Sequence, residues 1–297
     1  MILNPKVEMM SSSLKEGLVW ERLQKNLKWA YEKSHFYREK YNKANISLSD
    51  IKSLSDIKKL PLTTFEELKN TSSFDLLTGP INNTMRLHKT LSGLYRGYTM
   101  DDMTRNIDIA IRPLAVNDIN KTDTVVLCGE YSSQSLLDLH YGAEALGATV
   151  IPCKDAKVAK EVIDIFRANV LIATACDLKQ IVETCDDVNA LPSKIITLVD
   201  DLHLASVEQL ESKLNRVLPR IYISKTLGIT GLIFTCEEHT HHLQDDYFYP
   251  EIVEDYLILT ALTFEAMPII RLHTGKKAKL LSDFQCKCGR TFISVDF

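Results

Sequence analysis

Apolar residues recur along this chain with two different periods, and the period changes partway. Over residues 14–43, Trp20, Leu23, Leu27, Ala30 and Tyr31 are spaced by three and four with charge between them, which predicts an amphipathic helix. The hexapeptide SLSDIK then occurs twice, at 47–52 and 53–58. Two copies of that length cannot build a stacked repeat, and each reads as a short turn capped by Ser or Asp. Pro61 precedes TTFEEL, where Thr63 with Glu66, or Thr64 with Glu67, fits a capping box; a helix is expected over about 64–70.

From 85 to about 235, short apolar runs alternate with helical patterns. Strands are predicted at 124–128, 148–152, 169–173, 195–199 and 220–223, and helices at 101–113, 137–146, 155–167, 177–186 and 205–216. Such alternation implies parallel pairing with right-handed crossovers. The fold class expected is α/β, a Rossmann-like parallel sheet covered by helices. Beyond 230 the helical signal fades, and 231–235, 255–262, 268–273 and 291–295 read as strands of a smaller, largely antiparallel β-rich subdomain. The expected organisation is an N-terminal helical segment (1–84) packing on an α/β core (85–230), followed by the β-rich subdomain (231–297). No Pro- or Ser-rich linker separates these parts, so they are expected to pack as one unit.

Composition narrows the function. With 45% hydrophobic and 25% charged residues the chain is globular rather than disordered. Its 35 basic and 39 acidic residues give a net charge of −4 without a long basic run, so nucleic acid is not an expected partner. No apolar stretch approaches the roughly 20 residues of a membrane helix. The start, MILNPKVEMMSSSLKEG, lacks the unbroken apolar run of a signal peptide. Seven cysteines, an odd number, point to a reducing cytoplasm rather than a disulfide framework. Cys128, Cys153, Cys176 and Cys185 read as small core residues. Glycine, 11 of 297, argues against a generous phosphate-cradling loop.

The remaining cysteines carry chemistry. Segment 236–242 is CEEHTHH and segment 286–289 is CKCG. Cys286 and Cys288 on a tight turn can present two sulfurs to one ion, and Cys236 with His239, His241 or His242 would complete a tetrahedral Cys₃His set for zinc. Such a closed shell would be structural and would clamp loops of the β-rich subdomain. The plainer alternative is free cysteines beside a histidine-rich surface loop. Asp245 and Asp246 are candidates to orient the histidine, or else belong to a solvated turn. His35, His88, His203 and His273 have no partners at recognisable spacing, and no Ser-His-Asp or Cys-His nucleophile motif occurs.

Four segments in collinear order, HYGAEALGATVIP (140–152), YPEIV (249–253), LTALTFEAMPIIRLHT (259–274) and CKCGRT (286–291), resemble phenylacetate–CoA ligase-like proteins of the AMP-forming, adenylate-forming enzymes. The likeness runs from about residue 18 to 293. It implies the N-terminal domain fold of adenylate-forming enzymes, normally followed by a small mobile domain. It also implies activation of an aryl or acyl carboxylate with ATP and transfer to coenzyme A. Some members hold a structural zinc, which carries over to Cys236, His242, Cys286 and Cys288. His242 is preferred because it lies eight residues before Pro250, although a shorter loop keeps His239 and His241 as rivals. His140 and Tyr141 would border the acyl pocket, or simply pack the start of their helix.

Against that family pattern, several positions depart. The SSGTTGKP-like phosphate loop is replaced by TLSGLYRGYT (90–99), which keeps Ser92 and Gly93 and offers Arg96 as a phosphate contact. The YGLSE-like motif reads Tyr222 to Thr226, so Thr226 stands where a magnesium-holding Glu is expected. The GAE-like segment reads Val199, Asp200 and Asp201, and Lys276 replaces the ribose-binding Asp. The sequence ends at Phe297, where the family continues with a lysine-bearing domain of roughly a hundred residues. The resemblance therefore implies a divergent, C-terminally truncated member. Its remnant nucleotide site would be Ser92, Gly93, Arg96, Tyr222 and Thr226, with no catalytic residue assigned and the use of ATP, magnesium and CoA in doubt. Such a pseudoenzyme would be cytoplasmic and zinc-stabilised, binding an acyl or aryl compound, a partner protein or a second copy of itself as a homodimer. The alternative is an active aryl/acyl-CoA ligase, or an adenylating half-enzyme completed by another chain.

Overall fold

The apolar runs in the middle of the chain become buried strands in the computed structural model, which describes all residues except 132–133, 186, 201–203 and 283 and the side chains of 134–135 and 204–205. Asp201 and His203, named above, lie outside the described residues. Among the described residues, the strands Ile229–Thr235, Arg220–Ser224, Lys194–Val199, Val170–Thr174, Thr124–Cys128 and Thr149–Cys153 lie side by side in that order, and Lys279–Leu281 pairs antiparallel with Ile293–Asp296. The chain forms two compact units, Met1–Leu3 with Asn106–His242, and Asn4–Arg105 with Leu243–Phe297.

The first unit is the α/β unit. Five strands run parallel, from Thr149–Cys153 to Arg220–Ser224, and Ile229–Thr235 follows antiparallel. Apart from the edge strand Thr149–Cys153, where Val150 and Ile151 are half-buried, their Val, Ile and Leu side chains are buried on both faces, which is why the runs are continuous rather than alternating. Val125, Leu127, Ile172, Ile196 and Leu198 form the core with Leu114 and Leu139 from helices. Thr124–Cys128, first of the five in sequence, lies between the second and the third. The chain thus leaves it in both directions, and the ends at Cys128 and Thr174 flank the crevice where such sheets bind ligands. Asp155 and Thr174 cap the following helices by accepting from Val158 N–H (2.9 Å) and Asp177 N–H (3.1 Å).

The second unit begins with helices. The single helix expected over 14–43 is two, Ser12–Lys33 and His35–Lys43. Ser34 breaks it with an extended backbone (φ −93°, ψ 123°), and the turn brings Tyr37 and Tyr41 into one core with Leu23, Leu27 and Ile57. The SLSDIK copies are the short 3₁₀ turns Leu48–Asp50 and Leu54–Lys59. Thr64 and Glu67 close the capping box of Phe65–Asn70, the Glu67 N–H donating to Thr64 Oγ1 (3.2 Å) and the Thr64 N–H to Glu67 Oε2 (2.8 Å).

A three-stranded antiparallel sheet, Phe248–Val253, Tyr256–Ala261 and Leu272–Lys277, completes this unit. The strand expected at 268–273 starts only at Leu272. Pro268 has no N–H to give a ladder, Ile270 N–H donates to the Tyr37 hydroxyl (2.9 Å), and Arg271 turns to φ 49°. The apolar run serves burial instead of pairing. The buried Arg271 guanidinium bonds both Glu251 oxygens (3.0 Å each) and the carbonyls of Lys58 and Leu60.

Candidate metal centre and nucleotide-loop positions

Strand Ile229–Thr235 delivers Cys236 to a tight loop, closed by Cys236 N–H to Thr240 O and His239 N–H to Cys236 O, both 2.9 Å. The chain re-enters a strand at His241–Leu243, where successive side chains point to opposite faces. His242 is fully buried. His241 faces the other way, its Nδ1 3.1 Å from Thr235 Oγ1 and its Nε2 3.5 Å from the Tyr222 hydroxyl. His239 is exposed at the loop tip with φ 57°. Downstream, Gly289 at φ 82° lets its N–H reach the Cys286 carbonyl (3.1 Å), which folds Cys286 and Cys288 into one turn.

The sulfurs of Cys236, Cys286 and Cys288 and a ring nitrogen of His242 all lie within 4.8 Å of one another. Zinc bonds of about 2.3 Å to sulfur and 2.1 Å to nitrogen place tetrahedral ligands about 3.5–3.8 Å apart. The four donors are therefore gathered to within about 1 Å of that geometry. Three thiols and one imidazole, three of the four buried, are the donor chemistry of a closed structural zinc site. The residues present fit the ion. Asp245 is buried and pairs with Lys15 (3.0 Å) while accepting from Ile293 N–H (3.2 Å). Burial pushes its carboxyl up to about 6, against the pull of the Lys15 ammonium.

The nucleotide-loop positions are occupied differently. The hairpin of Arg86–Lys89 and Tyr95–Tyr98 turns at Ser92 and Gly93. There Thr90 N–H donates to Leu94 O (2.7 Å), Gly93 N–H to Thr90 O (2.9 Å), and Leu94 N–H to Thr90 Oγ1 (3.2 Å). Three amides that could face a phosphate are spent within the turn. Arg96 is buried, donates to Met267 O (3.0 Å), and lies over the rings of Tyr98 and Phe264. Tyr222 is buried and burial raises its phenol pKa. Thr226 sits in the turn after Arg220–Ser224, beside Lys225, which pairs with Asp200 (3.2 Å).

Tyr141 is exposed, whereas His140 is engaged on both ring nitrogens, Nδ1 with the Tyr131 hydroxyl (3.1 Å) and Nε2 with Glu144 (3.2 Å). Tyr131 and Glu144 were not candidates from the sequence. The i, i+4 spacing of His140 and Glu144 was a readable signal; the Tyr131 contact depends on how the loop returns.

No protein-family model matches the chain. Among curated proteins it is 29% identical to the phenylacetate–coenzyme A ligase of Escherichia coli K12, over 95% of this chain and 71% of that protein. It is 26% identical to the ligase of the same name from Thermus thermophilus, over 99% and 72%. Among solved structures, a 2-hydroxyisobutyryl-CoA ligase in the postadenylation state superposes with a TM-score of 0.88 at 17% identity, covering 98% of this chain and 68% of that one. The fold is that of adenylate-forming ligases. In sequence the chain is similar, along nearly its whole length, to phenylacetate–CoA ligases.

Proposed function

We propose that this protein is a zinc-stabilised ligase-like protein with a degenerate ATP site, acting as a binding or accessory protein for an acyl or aryl compound. The observation that carries this reading is the Thr90–Leu94 turn, whose Thr90, Gly93 and Leu94 N–H groups donate to acceptors inside it. A triphosphate is held by backbone N–H groups aimed at it, and its cation by carboxylates. Here the turn is closed on itself, Arg96 is committed to Met267 and two rings, and Thr226 with Lys225 stands at the expected magnesium position. Lys276 at the expected ribose position adds a cation where an acceptor is needed. Cys236, His242, Cys286 and Cys288 would hold the zinc, which when bound supplies cross-linking of loops and not chemistry.

The test is pyrophosphate release from ATP by the zinc-loaded protein, with coenzyme A and a panel of aryl and acyl acids. The reading predicts no release above background. Sustained, acid-dependent release would replace it with an active ligase.

A further inference from the structure

The loop carrying Cys286 and Cys288 is fastened from the far end of the sequence. Directly after it, Arg290 Nε donates to Glu8 Oε2 (3.1 Å) and Thr291 N–H to Glu8 O (2.8 Å), with both side chains of the Glu8–Arg290 pair fully enclosed. The Thr291 hydroxyl reaches Met10 O (2.8 Å). The buried Lys15 ammonium donates to Thr291 O and lies 5.3 Å from the centre of the Phe292 ring. It also pairs with Asp245, three residues past His242, and Asp245 in turn accepts from Ile293 N–H. Met9 packs over Gly289, its Cε 3.8 Å from where a β-carbon would sit. Each residue from 290 to 293 is thus held by segment 8–15 or by Asp245.

We infer that residues 4–15 are a built part of the metal centre, with Glu8 and Lys15 as positioning residues that hold the Cys286–Cys288 turn in liganding position. This rests on the zinc reading proposed above. Two buried ion pairs are costly to assemble and worth little to net stability beside apolar packing. What they supply here is a fixed orientation of the strand leaving the two thiols. Residues that orient metal ligands affect affinity about 10- to 100-fold when changed.

The experiment follows zinc transfer from the purified holoprotein to a chromogenic chelator. Glu8→Gln and Lys15→Met are compared with the parent and with Ile57→Ala, a core change in the same unit that lowers stability without touching the loop. The expected result is release about tenfold or more faster in Glu8→Gln and Lys15→Met, and an unchanged rate in Ile57→Ala. Hydrogen exchange on the unmutated protein needs no variant to fold: stripping zinc should speed exchange over residues 5–15 about tenfold. Release rates matching the parent or the Ile57→Ala control, or exchange over 5–15 indifferent to zinc, would overturn the inference while leaving the zinc reading intact. A protein that neither contains nor takes up zinc overturns both.

Discussion

Asp123 is almost wholly enclosed in the first unit, and its carboxylate takes Lys194 Nζ (3.0 Å), Asn120 N–H (2.9 Å) and Asn169 Nδ2 (2.7 Å). Burial alone would push its pKa up; Lys194 and the two amide donors outweigh that and hold it below the usual carboxylate range. The unfolded chain titrates this group near about 3.9. The native form therefore binds the proton less tightly, and the stabilisation is present above that value and lost as pH falls through the lower native pKa. Asp123→Asn should cost about 2 kcal/mol at neutral pH, and the gap to the parent should close in strongly acid solution. Urea melts across pH check this. At the metal positions, His242→Ala should abolish stoichiometric zinc by elemental analysis, whereas His241→Ala should leave it unchanged, because His241 is turned toward Tyr222 and Thr235. The candidate donor types were legible in the sequence, and the family-like spacing to Pro250 already favoured His242 over His239 and His241. Strand alternation adds a physical reason, since it turns His241 to the face opposite His242. Lys15 left a trace too: it continues the 19, 23, 27 apolar stripe one turn upstream, a charge on a buried face that calls for a partner.

Elements were read best where a local rule governs them. The Thr64–Glu67 box fixed the start of its helix, and Thr64→Ala should cost about 1 kcal/mol in a thermal or urea melt. The parallel strands matched to within a residue or two, because continuous Val, Ile and Leu runs between helical patterns have few other homes. The misses were tertiary. Nothing local breaks a helix at Ser34; the break is set by the core that Tyr37 and Tyr41 enter. Nothing local stops the 268–273 run except Pro268, and the Tyr37 hydroxyl that takes Ile270 N–H comes from more than two hundred residues away. Gly231 is the converse case, a glycine inside a strand. At φ 88° an added β-carbon would sit 3.0 Å from Pro113 Cγ and 3.2 Å from Ile109 O. Gly231→Ala should destabilise the first unit by about 1–3 kcal/mol from the backbone alone, with the clash adding to it.

At the scale of the molecule, an adenylate-forming ligase fold is joined to a hairpin turn that bonds to itself. The fold was legible because its signals are spread over the chain, in strand–helix periods and collinear family segments. The closure of the Thr90–Leu94 turn was legible only as missing glycines; that the Thr90, Gly93 and Leu94 N–H groups donate internally is set by how the hairpin closes. The burial of Arg96, which the sequence offered as a phosphate contact, likewise follows from hairpin register, since Arg96 pairs with buried His88 on the inward face. On the function proposed above, the scaffold is kept and the nucleotide grip is not. Isothermal titration of the zinc-loaded protein with MgATP tests this most directly. The account predicts no measurable heat of binding up to millimolar nucleotide; saturable binding in the micromolar range would contradict it.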